Sequence, residues 1–394
     1  MIYDVIIIGA GAAGLMSAIA AKERGKTVLI LEANAKPGLK ILISGGGRCN
    51  FTNMEIFPHD YVSDNPHFCK SAFSQFTQHD FIRWVEESKI PYYEKTLGQL
   101  FCKTSSREIL QLLLRKGLGK NSELKTSVKV TAVTKEGDQF VIATQSETYR
   151  TNNLIIATGG LSLPKLGATD FGYQIAKQFG HAVTRLSPAL DGFVFLERER
   201  LLLGRLAGVS LEVCLEAGMR KFRENILFTH VGISGPAALK GSLFWTSPAP
   251  VLIDFLPHIP DFFRWLDEKR KTDAKKKAVT LLSQERVSSF AEQIVKICRI
   301  PDKKVADLSK PQMQQLQRML KQFSFVPKST VGYEKAEVTR GGVDTREISS
   351  QTMESQLAPG LYFVGEVVDV TGLLGGYNFQ WAWSSGWVAG KNVD

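Results

Sequence analysis

An α/β fold whose first domain is split by a long insertion is what this sequence predicts, on three observations. The chain opens with a complete strand–turn–helix–strand unit, Asp4-Val5-Ile6-Ile7-Ile8-Gly9-Ala10-Gly11-Ala12-Ala13-Gly14, continuing to Glu32. Apolar strand-like runs that stop at glycine recur far downstream, at residues 153–160 and 361–365. Between them the texture changes near Pro188, first to short β-like runs and then, from Pro260, to a charged helical pattern. Residues 1–188 and 336–394 are therefore expected to form one discontinuous nucleotide-binding domain. Residues 189–257 with 326–335 form an inserted β-rich domain, and 258–325 a helical subdomain.

Each element of the opening follows from its residues. The run before Gly9 has strand length, residues 15–24 form an amphipathic helical stretch, and residues 27–31 form a second strand ending in an acid. Gly9 permits a tight turn, and Gly11 lets the backbone approach a pyrophosphate. Gly14 lets the helix pack close on the strand. Ala12 and Ala13 open the helix, whose N-terminal N–H groups suit phosphate charge. Glu32, followed by Ala33, can accept hydrogen bonds from adenosine ribose hydroxyls. A 2′-phosphate would meet that carboxylate, so NADP is a poor ligand for this particular site. The competing reading is a glycine loop that binds nothing, and it explains none of this context.

Further along, helices are expected near 71–88 and 105–117, and strands near 126–133, 138–144 and 148–157. Residues 192–196, 209–215 and 251–256 are β-like, and 380–393 form a last helix. The strand at 153–157 ends in Ala157-Thr158-Gly159, where glycine lets backbone lie against a ligand.

The chain has 394 residues, 44% hydrophobic and 22% charged, an ordinary globular balance in a chain too long for one core. Its 49 Lys and Arg against 39 Asp and Glu give a net charge of +10, which suits anionic ligands. Part of the excess lies at residues 269–277, where a charge run commonly marks a solvated helix face. On charge alone, nucleic acid is not expected as a partner. The cysteines, Cys49, Cys69, Cys102, Cys214 and Cys298, are odd in number, with no CxxC and no metal-ligand cluster. Reduced thiols and a cytoplasmic protein follow, and no metal is expected. The pattern also argues against a flavin disulfide reductase, whose redox-active cysteine pair must lie close together. No apolar stretch is long enough to span a bilayer, and Asp4 precedes the apolar opening, unlike a signal peptide.

Several longer motifs occur in a fixed order. They are Ile43-Ser44-Gly45-Gly46-Gly47-Arg48-Cys49-Asn50-Phe51-Thr52-Asn53, Phe228-Thr229-His230-Val231-Gly232-Ile233-Ser234-Gly235-Pro236, Glu337-Val338-Thr339-Arg340-Gly341-Gly342-Val343, Gly365-Glu366-Val367-Val368-Asp369 and Gly375-Gly376-Tyr377-Asn378-Phe379-Gln380. With these the chain resembles, over essentially its whole length, the bacterial NAD(P)/FAD-dependent oxidoreductases of the YhiN/BaiN type. It departs from many of them at Asp170-Phe171-Gly172-Tyr173, where they read Gly-Asp-Gly-Tyr. The resemblance implies a glutathione-reductase-like FAD-binding Rossmann domain interrupted by a β-barrel and a helical segment, with FAD bound non-covalently.

On that resemblance, Gly9 to Gly14 receive the pyrophosphate, Glu32 the ribose, and Val130 lies beside adenine. Lys40 offers a cation near the adenosine half. Ser44 to Asn50, with Gly45 and Gly46, form a glycine-rich loop that passes under the ring system, with Asn50 and Thr52 as hydrogen-bonding groups. Glu366, after Gly365, reaches the ribityl chain. Asn378 and Phe379, after Gly376, direct backbone N–H groups at the N1–C2 carbonyl edge, favouring the reduced anion.

Three residues are candidates for chemistry. Cys49 beside Arg48 is a thiolate candidate or a small packing residue. His230 is a proton donor or a turn histidine bonded to backbone. Tyr377 stacks or donates a proton, or merely packs. Arg340 offers a site for an anionic substrate, and Trp381, Trp383 and Trp387 read as helix core. The leading expectation is an FAD-dependent oxidoreductase that passes hydride to a small organic acceptor, with NAD(P)H as transient co-substrate. An RNA-modifying flavoprotein and a non-enzymatic flavin redox sensor are the alternatives.

Overall fold

The computed structural model of the protein describes residues 2–300 and 303–394. Residues 1, 301 and 302, which fall in the expected first domain and helical segment, lie outside the described residues. The chain divides into two compact units, Met1–Pro188 with Val338–Asp394, and Ala189–Glu337.

The first unit is built on a seven-stranded sheet. Its strands are β1 (Ile2–Ile8), β2 (Val28–Leu31), β3 (Ser122–Lys125), β4 (Val130–Glu136), β5 (Gln139–Thr144), β6 (Thr148–Ile156) and β7 (Leu361–Phe363). They lie in the order β3-β2-β1-β6-β5-β4, with β7 added against β6. The pairs β3–β2, β2–β1, β1–β6 and β6–β7 are parallel, and the pairs β6–β5 and β5–β4 are antiparallel. β6 changes neighbour along its length. Thr148 to Thr151 pair with β5, and Leu154 to Ile156 pair with β7. Val5 to Ile8, Val28 to Leu31 and Leu154 to Ile156 are all buried. Strands covered on both faces must be apolar without interruption, which is how these runs read in the sequence.

Three helices position the site: α1 (Ala12–Glu23), α2 (Leu39–Gly47) and α3 (Tyr377–Asn392). The expected amphipathic character of α1 is corrected by its burial, since every residue from Ala13 to Ala21 is inside. It touches β1, β2, α3 and the helix Arg107–Gly117, so no broad face is left for water. α3 crosses α1 with the backbones almost touching. A Cβ on Gly386 would stand 2.4 Å from the Ala13 carbonyl oxygen, and one on Gly390 2.2 Å from that of Ser17.

The far side of α3 carries an aromatic cluster. Trp383 stacks on Phe81 at 4.5 Å, and Trp381 and Trp383 are both buried, so the helix-core reading of these tryptophans stands. The helix expected near 71–88 is two, Cys69–Gln75 and Gln78–Glu87. The break comes at Thr77, whose hydroxyl accepts from the Asp80 N–H at 3.2 Å while the Asp80 carboxylate accepts from Thr77 N–H at 2.9 Å.

In the second unit seven strands follow one antiparallel path. Their order is Phe323–Phe325, Val251–Asp254, Ser210–Ala217, Arg220–Phe228, Gly232–Ser234, Phe193–Val194 and Ser329–Thr330. The helices Phe262–Thr272, Ala278–Glu285, Ser288–Ile297 and Lys310–Lys321 share one core with this sheet. Phe255 meets Phe290 at 5.1 Å and Phe323 at 5.6 Å. The Lys321 ammonium closes the join, donating to Asp254 at 2.7 Å and to the Leu256 carbonyl at 2.7 Å.

Gly386→Val is expected to destabilise the protein by about 2 kcal/mol or more, because overpacking acts directly on the α1 backbone. Gly204→Ala, at φ −61° with its nearest neighbour 3.9 Å from the new Cβ, is expected to be neutral or to stabilise by up to about 1 kcal/mol. Thermal unfolding of the two variants side by side checks the contrast.

Candidate functional site

The glycine turn after β1 separates into two kinds of position. Gly9 has φ +104°, and a Cβ there would stand 2.5 Å from the Ala157 carbonyl oxygen. At Gly14 a Cβ would stand 1.9 Å from the Gly9 oxygen. Both are glycine because the chain itself is in the way. Gly11 is different. Its φ of −81° suits any residue, and a Cβ there would meet nothing within 4 Å. Gly11 also caps α1 without a side-chain hydrogen bond, and the first N–H groups of a helix have no intrahelical acceptor. Open space beside free helix-end donors is the cradle that a bound diphosphate would fill.

Glu32 ends β2 and is 8% exposed. One carboxylate oxygen accepts from Ala10 N–H at 2.8 Å, and the other from Asn34 N–H and Nδ2 at 2.8 and 2.9 Å. The acid therefore holds the turn's shape, while Oε2, which accepts only the Ala10 bond, retains acceptor capacity for a ribose hydroxyl. Ala33 beside it is exposed. Val128 N–H donates to the Glu32 carbonyl at 2.9 Å, and Ser127 N–H to that of Asn34 at 3.0 Å. This brings the start of β4, with Val130, to the same pole. Ala157 N–H donates to the Ile8 carbonyl at 2.9 Å, so the end of β6 lies beside the turn. Thr158 carries a buried hydroxyl oxygen with no hydrogen-bond partner, and Gly159 has φ +73°.

Lys40 on α2 is not a free cation. Its ammonium donates to Glu366 Oε2 and to Ser162 Oγ, both at 2.7 Å. The other Glu366 oxygen accepts from Thr339 N–H at 2.9 Å and Ser162 Oγ at 3.0 Å. Lys40, Ser162, Thr339 and Glu366 thus form one node that joins α2, the loop after β6 and the turn after β7. Ser162 and Thr339 were missed in the sequence, where no local pattern could have found partners so far apart.

α2 bends at Ser44, Gly45 and Gly46, with φ of +57° and +67° at the two glycines. A Cβ on Gly45 would reach Phe101 at 2.7 Å, whereas one on Gly46 would meet nothing within 4 Å. The Asn50 amide lies 3.1 Å from Gly376 N, Thr52 O and Leu100 O, with its oxygen facing the N–H and its nitrogen the carbonyls. Thr52 is buried and donates to Gln380 at 2.7 Å. Both residues therefore tie this loop to the start of α3.

Gly376, at φ +95°, caps α3, and a Cβ there would stand 2.4 Å from the Thr52 backbone. The Asn378 amide turns back on the preceding loop, exchanging hydrogen bonds with Gly372 N–H and carbonyl, both at 2.9 Å. That leaves the backbone N–H groups of Asn378 and Phe379 in the first helical turn, without intrahelical acceptors. Gly365, at φ +71°, is held by Ser385 Oγ at 3.0 Å and by Trp381 Nε1 at 3.0 Å.

The chemical candidates separate clearly. Cys49 is fully buried, and desolvation pushes its thiol far above the usual range; Arg48 instead donates to the Tyr93 hydroxyl at 3.2 Å. The thiolate expectation is corrected on that ground. Tyr377 opens α3, with its carbonyl accepting from the Tyr61 hydroxyl at 2.9 Å and the two rings edge to face at 6.1 Å. His230 lies in the second unit, exposed at the tip of a turn closed by Thr229 N–H to Gly232 O at 2.8 Å. Gly341 and Gly342 are explained within the chain. A Cβ on either would strike backbone, of Arg185 at 2.4 Å or Val368 at 2.5 Å. Gly172, in the segment departing from the family pattern, lies in the helix Phe171–Gln178 and leaves room for the Thr158 hydroxyl, which a Cβ would meet at 2.2 Å. No metal-binding group of His, Cys, Asp or Glu exists among the described residues. No helix among them is long and apolar enough to cross a membrane.

Asp369 is 4% exposed, and burial raises its carboxyl to about 6 although Asp64 N–H donates to it at 3.0 Å. The folded state then holds a proton that the unfolded chain releases, so this group's contribution falls as pH rises from about 4 to 6. Asp369→Asn is expected to flatten that part of the stability curve and to raise Tm at pH 7, read by thermal unfolding across pH. Cys49→Ala is expected to leave turnover within about twofold, and native Cys49 to resist thiol reagents at pH 8.

Residues 3–392 match the family described as HI0933-like protein Rossmann domain. The chain is 44% identical over 392 residues to the ribosomal RNA dihydrouridine synthase of Escherichia coli K12, spanning 99% of this chain and 98% of that protein. It is 43% identical over 393 residues to the protein of that name from Haemophilus influenzae, covering 98% of each. With the 3-dehydro-bile acid delta(4,6)-reductase of Clostridium scindens it shares 30% over 409 residues, 98% of this chain and 97% of that one. Among solved structures, the Mycobacterium smegmatis Sdh1 complex in the apo form is similar in fold alone, at 16% identity and TM-score 0.51, over 99% of this chain and 68% of that one. The two RNA-directed relatives count against the expectation that nucleic acid is not a partner. A match across nearly the whole chain, with full-length relatives beside it, makes this protein a member of the HI0933-like Rossmann flavoprotein family.

Proposed function

We propose that this protein binds FAD at the glycine turn and reduces a carbonyl-conjugated C=C bond, with a uracil ring of ribosomal RNA as acceptor. The observation that carries the cofactor is Gly11, where neither backbone conformation nor any neighbour in the chain calls for glycine. The acceptor is supported by two full-length relatives named as ribosomal RNA dihydrouridine synthases, at 44% and 43% identity. Dihydrouridine differs from uridine by two hydrogens across one ring C=C, which is a hydride-plus-proton addition.

FAD, when bound, supplies the hydride, and NAD(P)H is the proposed source of its electrons. The chain supplies position and charge. Backbone N–H groups at Ala12 and Ala13 take the diphosphate, Glu32 the ribose, and Val130 flanks adenine. Residues 44–46, Asn50 and Ala157 to Gly159 border the ring system. The Lys40–Glu366 pair fixes the turn beneath the ribityl chain. The N-terminus of α3, at Asn378 and Phe379, stabilises negative charge at the cofactor's carbonyl edge. His230 and Tyr377 are the candidates for the proton that accompanies the hydride. A small-molecule acceptor is the second reading, favoured by the 30% identity to a bile-acid reductase.

The test is anaerobic titration of the FAD-loaded protein with NADPH and NADH, followed by addition of rRNA from cells lacking the gene. Bleaching by one nicotinamide, reoxidation by rRNA and nucleosides heavier by two hydrogens are expected. Turnover of a 3-oxo steroid diene without dihydrouridine would move the assignment to the second reading. Failure of both nicotinamides, with dithionite still reducing the cofactor, would remove them as donors. Gly11→Val is expected to leave Tm of the cofactor-free protein nearly unchanged while lowering FAD affinity by about 100-fold or more, since the side chain occupies only the space reserved for ligand.

A further inference from the structure

Residues 258–325 carry 15 basic and 8 acidic residues, so this stretch holds +7 of the chain's net +10. The fold concentrates that charge further. Residues 276–278 pair antiparallel with 303–305, through Val305 N–H to Lys276 O at 2.8 Å, Ala278 N–H to Lys303 O at 3.2 Å, and the bridge between Lys277 and Lys304. The pairing sends Ala278 and Val305 into the core and leaves Lys275, Lys277, Lys303 and Lys304 exposed. Two lysine-rich segments far apart in sequence thus become one ledge.

The ledge continues onto the helix Phe262–Thr272. Arg270 donates to the Ala306 carbonyl at 3.1 Å, next to the paired segment, and Lys271 beside it is exposed. Phe263, at helical spacing from Asp267, Arg270 and Lys271, is 42% exposed. The neighbouring acids are largely engaged. Asp273 pairs with Lys276 at 2.8 Å and Lys269 at 3.6 Å, and Asp267 lies 4.0 Å from Arg270. Asp307 is exposed.

We infer that this ledge is an RNA-backbone surface, on which Lys275, Lys303, Lys304 and Lys271 contact phosphates and Phe263 offers a face for a base. The inference rests on the reading of RNA as acceptor and adds the surface that holds it. Charge complementarity selects a polyanion. An anionic membrane fits less well, because among the described residues of this segment only Phe263 and Val287 are large exposed apolar side chains, and an interfacial helix needs a broad apolar face.

The test compares the wild-type holoprotein with K275Q/K303Q/K304Q, and with the single variant K304Q as a milder control on folding. Binding of protein-free rRNA is measured from 50 to 300 mM salt, alongside phosphatidylglycerol vesicles and reduction of the bound flavin. The triple variant is expected to bind rRNA about tenfold or more weakly, with a salt slope lower by about 2 and flavin reduction unchanged. K304Q is expected to shift in the same direction, by a smaller step. Equal rRNA binding by wild type and triple variant overturns the surface while leaving RNA as acceptor. Binding of vesicles but not rRNA overturns it in favour of a membrane. Absence of rRNA binding by the wild type removes the RNA reading itself.

Discussion

The first unit depends on one constraint, the near contact of backbones around α1. The helix meets the turn behind Gly9 through Gly14, and it meets α3 through Gly386 and Gly390, all at distances no Cβ tolerates. Those contacts place the N-terminus of α1 at the end of β1, beside the end of β6. They also fix α3, whose own N-terminus is set by Gly376 against Thr52. Two helix ends are thereby presented by one buried helix pair. Each end offers N–H donors that the helices cannot use themselves.

The polar node at Glu366 does for the loops what α1 does for the helices. Lys40, Ser162 and Thr339 come from three separate stretches, and Glu366 accepts from all of them. A half-buried carboxylate with this many donors is a positional device more than a source of stability. Surface-accessible ion pairs contribute little by themselves, whereas an acceptor serving several loops restricts each of them.

What could be read from the sequence follows the range of the forces involved. The opening unit was legible because turn, helix start and acid lie within one local stretch, and each glycine has a local reason. The separation of Gly11 from Gly9 and Gly14 was legible in type, although only coordinates show that Gly11 lacks any neighbour. The burial of α1 on all sides was not legible, because Ser17 and the alanines there look equally at home in a half-exposed helix. The pairing of Lys40 was not legible, because its partners, Ser162 and Glu366, are distant in sequence. Cys49 stayed open between thiolate and packing residue, because its burial is not local and the arginine adjacent in sequence points elsewhere in space. The break at Thr77 was present as a Thr-x-x-Asp pattern and was passed over. The lysine ledge was legible only as a charge run, since its second half comes from a different segment.

The order of the sheet bears on how the chain acquires its structure. β7 pairs with β6, yet the whole of residues 189–337 is synthesised between them. α3, which seals α1, follows later still. At about 5–20 residues per second, roughly 10–40 s separate β6 from its neighbour on the ribosome. During that interval the parallel edge of β6 stands open and α1 is uncovered, while the second unit has everything it needs to fold. The inserted unit is thus positioned to mature first, and the nucleotide domain to complete its own sheet afterwards.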